Sequence, residues 1–519
     1  MDSSAISTTE RSPTTTDERG GRAISAWLDR VIVGSLFALA FFAPHSIALT
    51  QMAWACGLLL WAIRFAVRPR PALHRTPVDY ALLGFFILTL ISALASYDPE
   101  TSIGKLRAAS LFTIVYLVAE NVPSRRVVRL LVLTLVASCM INVIYTLGER
   151  AVGRGVKVQG VLTTSPLFAA GIRDGDTLLE VDGHALSDPQ ELVNALAASD
   201  LQGAGPARVK IFRFEATPTF EVPRGQLLEG ATPLARLGIS SWSRGRDWRA
   251  SGLYGLYVTY AEALQLIASL AFGLFIALRR KRTLSGVLLL LALAGLCTAL
   301  LLTVTRASGL AFLLSALVIV LVGASRRTAL IVMACALPFV IAGLFILQQK
   351  RNVGFYDQKD LSITWRETVW REGFHLLMSR PRHMLVGVGM DSIKRHWREW
   401  GLFDRGQLPI GHMHSNFLAL ALERGLPALI VWLILMGIYG HMLWRLARSQ
   451  DAGGWIERGL VLGALGGLVG FLTSGVVHYN WGDSEVVMIF YLIMGLSLVV
   501  EREAKRNREH AVNVLSRVG

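Results

Sequence analysis

Charge is what this chain has least of. Only 17% of its 519 residues are charged and 53% are hydrophobic, whereas soluble domains carry roughly 25% charged residues. With a mean hydropathy of +0.48, a single water-soluble core is excluded and a polytopic membrane protein is expected. Cysteine is also scarce. Cys56, Cys139, Cys297 and Cys335 all lie in apolar runs, which gives neither a disulfide framework nor a zinc-ligand spacing. None of the eleven histidines sits in His-Glu-x-x-His, so the imidazole pair and base of a metalloprotease are missing. Ser474-Gly475 with His478 is only an echo of a serine protease and falls at a span end. The first 25 residues lack an apolar h-region and are rich in Ser, Thr and Arg; a disordered cytoplasmic tail is expected there, not a cleaved leader. The segments between spans hold no convincing carboxylate cluster, so no metal or other cofactor is expected. No internal repeat is visible, and the charged candidates lie at the membrane boundary instead of the midplane, which argues against a transporter.

The charge that is present is mostly basic, with a formal net charge of +15. In a soluble chain that surplus would suggest nucleic acid; here it sits in short loops, as the positive-inside bias requires, and no nucleic-acid partner is expected. A bilayer crossing takes about 20 apolar residues. Twelve such spans are expected, near 27–44, 47–66, 79–97, 106–121, 128–147, 256–278, 284–303, 307–323, 328–347, 415–443, 458–477 and 484–500. This count puts the basic runs Arg64 to Arg75, Arg125–Arg126–Arg129, Arg279 to Arg282, Arg326–Arg327, Arg445–Arg448 and the tail from Arg502 on one side, with both termini cytoplasmic. Residues 148–255, the Arg306 turn, the loop 348–414 and His478 to Asp483 then face outward. The 415–443 stretch is long for one straight span, and a short interfacial helix is expected at its start. The fold class is all-α, about twelve transmembrane helices, with a small α+β insert. Its parts are a tail over 1–25, helices over 26–147, an insert over 155–222, an interfacial linker over 223–255, helices over 256–347, a polar loop over 348–414, helices over 415–500 and a second tail over 501–519.

The insert breaks the hydropathy pattern. Val156 to Leu162, Thr177 to Val181 and Ala207 to Phe214 read as strands, and Pro189 to Ala198 as an amphipathic helix. Ser165-Pro166, Ala169-Ala170-Gly171, Asp174-Gly-Asp176 and the run Leu178 to Gly183 follow in the order of a bacterial PDZ domain, which the insert resembles. The resemblance implies an extended peptide or protein ligand held by strand addition between Val156–Leu162 and Pro189–Ala198, apart from any chemical site. Asp174-Gly-Asp176 is expected to be a turn and not a metal-binding Asp-x-Asp.

The most unusual stretch runs from about residue 348 to 425, polar and rich in arginine and tryptophan between strongly apolar segments. Ionisable groups at a membrane boundary are costly unless used. Three pieces stand out: Thr303-Val-Thr-Arg306-Ala-Ser-Gly opening a span; Trp365-Arg366-Glu-Thr-Val-Trp370-Arg371, followed by Pro381 and Gly387-Val-Gly389; and His412-Met-His414-Ser415, with nine residues between Ser415 and Gly425. If Trp365 to Arg371 is helical, Trp370 shares a face with Arg366. The two tryptophans serve either to anchor at the interface or to stack on sugar. These pieces resemble the O-antigen ligase and polymerase superfamily over roughly 300–430, although Ala428 stands where that family often has Gly, Thr or Tyr.

The residue types suit glycosyl transfer without the resemblance. Arginines can hold a departing diphosphate by bidentate, charge-assisted hydrogen bonds, and an imidazole can take the proton of an acceptor hydroxyl. Arg306 and Arg366 are expected on the diphosphate and His414 on the acceptor. Arg371, His412, Trp370 and His478 are further candidates for substrate binding. His414 could instead cap the following helix, His478 could cap its loop, and Glu423–Arg424 could pair with each other or with the site. The resemblance implies a metal-independent glycosyltransferase in a bacterial inner membrane. Its donor would be a polyprenyl-diphosphate-linked glycan. Its acceptor would be lipid A–core, another glycan or a protein hydroxyl, reached from the periplasm.

Overall fold

The computed structural model describes residues 14–197, 205–213, 217–327, 361–449 and 453–518, with scattered positions between 329 and 345. The chain divides into two compact units. One comprises the helices up to Asn142, Leu253–Leu301 and the chain from Thr305; the other comprises Val143–Gly252 with Leu302–Val304.

Among the described residues, ten helices are long and apolar enough to cross a membrane. The chain is therefore a multi-pass α-helical membrane protein. Of the remaining expected spans, 79–97 is the shorter helix Asp79–Leu94, and 328–347 lies largely outside the described residues. The stretch near 106–121 is part of Pro99–Asn121, built from short helical pieces. The long 415–443 stretch divides at Gly425 into Asn416–Arg424 and Leu426–Arg448.

The break at Gly425 has a backbone cause. Its φ of 85° and ψ of 162° belong to a region open essentially to glycine alone, and a Cβ there would collide with the Leu385 carbonyl. Gly387 mirrors it, with φ 75° and ψ −171°, and its Cβ would strike the Glu423 carbonyl. With neither side chain in the way, residues 387–389 lie against the end of helix Asn416–Arg424. Val388 N donates to Leu422 O at 2.8 Å and Gly389 N to Glu423 O at 3.0 Å. A knot of buried serines ties this seam to the end of Asp79–Leu94: Ser92 Oγ donates to Glu423 O at 2.7 Å, Ser96 Oγ lies 2.9 Å from Ser392 Oγ, and Ser102 Oγ donates to Met390 O at 2.9 Å.

Helices Tyr257–Ala277 and Trp455–Ser474 pack through small residues, with Gly273 directly against Gly459 and Gly463. Close backbone approach of this kind replaces the missing hydrophobic drive in lipid. Gln265 Nε2 donates to Ser315 Oγ at 3.0 Å, and Ser315 Oγ in turn to the Gly466 carbonyl, so the polar groups of three helices satisfy one another.

The second unit holds a six-stranded antiparallel sheet. Its strands are β1 Arg154–Val161, β2 Thr177–Val181, β3 His184–Ala185, β4 Ala207–Phe212, β5 Thr219–Val222 and β6 Ile239–Gly245, in the order β5-β4-β2-β1-β6 with β3 beside β2. Val156, Val158, Leu178, Val209 and Ile211 pack with Leu192 and Leu196 of helix Pro189–Ala197. Two expectations are corrected. Residues 239–245, expected in an interfacial linker, form β6, because backbone pairing with β1 from Arg154↔Gly245 to Val161↔Ile239 satisfies their polar groups. For the same reason the β1 edge is not open to an added peptide strand: β2 holds one side and β6 the other. Asp174 and Asp176 act in turns, Asp174 accepting from Val161 N and Asp176 from Arg173 N, both at 2.7 Å.

Glycine at 387 and at 401 can be separated experimentally. Gly401→Ala meets nothing within 4 Å and bears only a left-handed backbone, costing about 1 kcal/mol. Gly387→Ala forces the seam apart and costs about 3 kcal/mol. Thermal unfolding of the detergent-purified protein should therefore fall clearly further for Gly387→Ala. Equal midpoints would contradict the seam.

Candidate functional site

Three separate stretches of chain build one polar cluster. Helix Leu361–Met378 brings Trp365, Arg366 and Trp370. The turn 412–415 brings the two histidines, and the turn between helices Trp455–Ser474 and Ser484–Val518 brings His478 and Tyr479.

The helix and the histidine turn are fastened at one point. Trp370 Nε1 donates to the Met413 carbonyl at 2.9 Å. Met413 itself is fully buried, its sulfur filling the space that Gly373 leaves on the same helix. With Met413 pointed inward, its neighbours are presented together. The His412 and His414 rings lie 4.2 Å apart, and Trp365 stands edge-on to His414 at 4.4 Å. His414 N donates to His412 Nδ1 at 3.2 Å. His414 has φ +47°, an uncommon conformation for a residue with a side chain, found where the surroundings hold it in place. Asn416 bolts the next helix to the third stretch: its N–H donates to Gly475 O at 2.7 Å, and its Oδ1 accepts from Trp481 N at 3.0 Å.

That bolt carries Tyr479 to within 5.5 Å of the His412 ring. Its hydroxyl donates to Glu423 Oε2 at 2.7 Å and accepts from Arg424 Nη1 at 3.3 Å. Both alternatives for Glu423–Arg424 hold: the two side chains meet at 3.9 Å, and the pair joins the cluster through Tyr479. Beside it lies a cavity lined by Phe85, Lys105, Asp391, Arg424, Tyr479 and Trp481 among others. Arg424 Nε is buried there without a hydrogen-bond partner, and Lys105 meets Asp391 at 2.7 Å. An apolar wall with one buried guanidinium, Arg424, and the more exposed Lys105 at its end suits an amphipathic anion.

Burial sets the histidine electrostatics. It lowers the His414 pKa to about 3, with further lowering from His412, Arg366 and His478. His412 is lowered to about 4, first by burial and then by Lys394 and His478. Both rings are therefore neutral near pH 7, each with one nitrogen able to accept a proton.

The structure brings His412, His414, Trp365 and Trp370 into contact, with Arg366 close enough to act on His414 electrostatically. His478 Nδ1 meets Glu262 Oε1 at 2.9 Å, both groups buried. Arg371 is exposed. Arg306 is half-buried and opens helix Arg306–Gly323. Sequence reasoning passed over Glu262, and it had Tyr479 only as part of the run His478 to Trp481 that could join the site. Glu262 had a legible signal, a lone carboxylate in an apolar span, which calls for a partner. Nothing singled Tyr479 out within its run, because its role depends on where a distant turn lands. Among the described residues no three His, Cys, Asp or Glu gather in a way that could hold a metal ion.

The histidine electrostatics give a direct test. In ring-labelled protein, neither His412 nor His414 should titrate between about pH 5 and 8, since depressed values keep both neutral throughout. A resonance that disappears in His414→Gln yet titrates near the ordinary histidine value of about 6.5 would contradict the burial.

Residues 289–433 match the O-antigen ligase family, and that segment carries its domain. It contains Arg306, Arg366, His412 and His414. A separate comparison finds 36% identity over 61 residues to the magnetosome formation protease MamE of Magnetospirillum gryphiswaldense, covering 12% of this chain and 8% of that protein. The match therefore spans less than a tenth of the curated relative's length.

Proposed function

We propose, from the O-antigen ligase domain over residues 289–433, that this protein moves a glycan from a polyprenyl diphosphate to an acceptor hydroxyl. The acceptor favoured is lipid A–core, at the periplasmic face of a bacterial inner membrane. The observation that carries this reading is a neutral, half-buried imidazole, His414, set between Trp365 and His412 and within the field of Arg366.

In the proposed reaction Arg366 and Arg306 hold the diphosphate. The bond from the anomeric carbon to the diphosphate oxygen breaks, and its electron pair leaves with the diphosphate. The acceptor oxygen bonds to that carbon, and its proton passes to His414. Stabilising the anionic leaving group by fixed donors in a partly dry site supplies the electrostatic catalysis. A bound diphosphate also raises the basicity of His414, because a nearby negative charge favours the imidazolium. The base is thus strengthened only when donor is present. Trp365 and Trp370 border the same space and can stack on sugar, while Arg424 and Lys105 offer further positive charge to an anionic group in the adjoining cavity. The arginines supply the charge a metal would otherwise bring, so the reaction is proposed to need none.

His414→Ala, Arg366→Ala and Arg306→Ala should each lower transfer by about a hundredfold or more at normal membrane expression. Full activity in any one of them removes that residue from the mechanism. Transfer should continue in EDTA; loss that magnesium or manganese restores would defeat metal independence. Mass analysis of lipopolysaccharide, surface glycans and glycoproteins in a deletion strain identifies the acceptor. Lipopolysaccharide lacking its glycan is expected, and shortened chains or unmodified proteins would point to polymerisation or protein transfer instead.

A further inference from the structure

The second unit ends on a strap, Asp247–Gly252, that does more than return the chain to the helices. Trp248 is buried with Leu179 of β2, Phe212 of β4 and Ala250, and Leu302 packs against this group. The indole N–H donates to Gly245 O at 3.3 Å. Arg150, on the helix that enters the unit, donates to the Trp248 carbonyl at 2.9 Å and lies 5.8 Å over its ring. Two residues on, the N–H of Ala250, which is wholly buried, donates to Leu302 O at 3.0 Å. Leu302–Val304 consequently belong to the same compact unit as the sheet, although they sit between two apolar helices in the chain.

The gripped turn is strained. Val304 has φ +54°, and a β-branched residue is a genuine outlier there. Such a conformation costs about 1–3 kcal/mol and persists only where the surroundings over-determine it. Thr303 beside it is fully buried. Arg306 begins its helix two residues later.

We propose that the insert is a clamp on the turn Leu302–Val304, with Trp248 as the residue that holds Val304 in its strained conformation. The clamp follows from the grip and the strain.

Hydrogen exchange in the full-length, detergent-purified protein tests the clamp. Trp248→Ala should raise exchange of the amides at 303–306 by about tenfold or more and leave helix Trp455–Ser474 unchanged, and Trp248→Phe should restore protection. If Trp248→Ala also loosens β2 and β4, Leu302→Ala, which leaves the insert's own core in place, should give the same local rise. Unaltered exchange at 303–306 in both variants overturns the clamp.

Discussion

The arrangement of the polar cluster depends on two backbone hydrogen bonds, Val388 N to Leu422 O and Gly389 N to Glu423 O. They hold a loop strand against the end of a helix that is already closing at Gly425. Only glycine at 387 and 425 permits the approach. Everything polar nearby is referred to this seam. Glu423 and Arg424 are presented on the last turn of helix Asn416–Arg424, whose first turn Asn416 anchors to the loop bearing Tyr479. The histidines precede the same helix. One short helix fixed at both ends therefore sets the relative positions of His412, His414, Glu423, Arg424 and, through the tyrosine hydroxyl, Tyr479.

The membrane character and most of the spans were legible because they depend on local composition and length, quantities that a sequence contains directly. The Trp365–Arg371 stretch was placed in a polar loop with its helicity left open; once it is helical, the placing of Trp370 near Arg366 follows from 3.6 residues per turn. The site was legible only in its ingredients. That His414 would meet Trp365 edge-on follows from Met413 turning inward under Gly373, a packing decision between segments far apart in the chain. Tyr479 was legible only as a member of the run His478 to Trp481, for a similar reason: its hydroxyl matters only once the Asn416 bolt delivers it.

Strand β6 was missed on chemistry, not distance. Ile239-Ser-Ser-Trp-Ser-Arg-Gly has three serines and a terminal glycine, which are poor strand formers by side chain. Its pairing is a main-chain matter, and its middle residues are mostly exposed. Patterns of hydrophobicity do not report strands recruited mainly to satisfy a neighbour's backbone.

That recruitment has a consequence for the insert taken alone. A fragment cut at residue 222, after β5, would keep its core helix and five of its six strands but leave β1 with one edge of its ladder bare. A row of unpaired N–H and C=O groups on an otherwise regular strand is a template for joining other chains, so such a fragment would tend to self-associate. The natural unit to excise runs from the entering helix at Val143 to Gly252, where the chain itself seals the edge it has exposed.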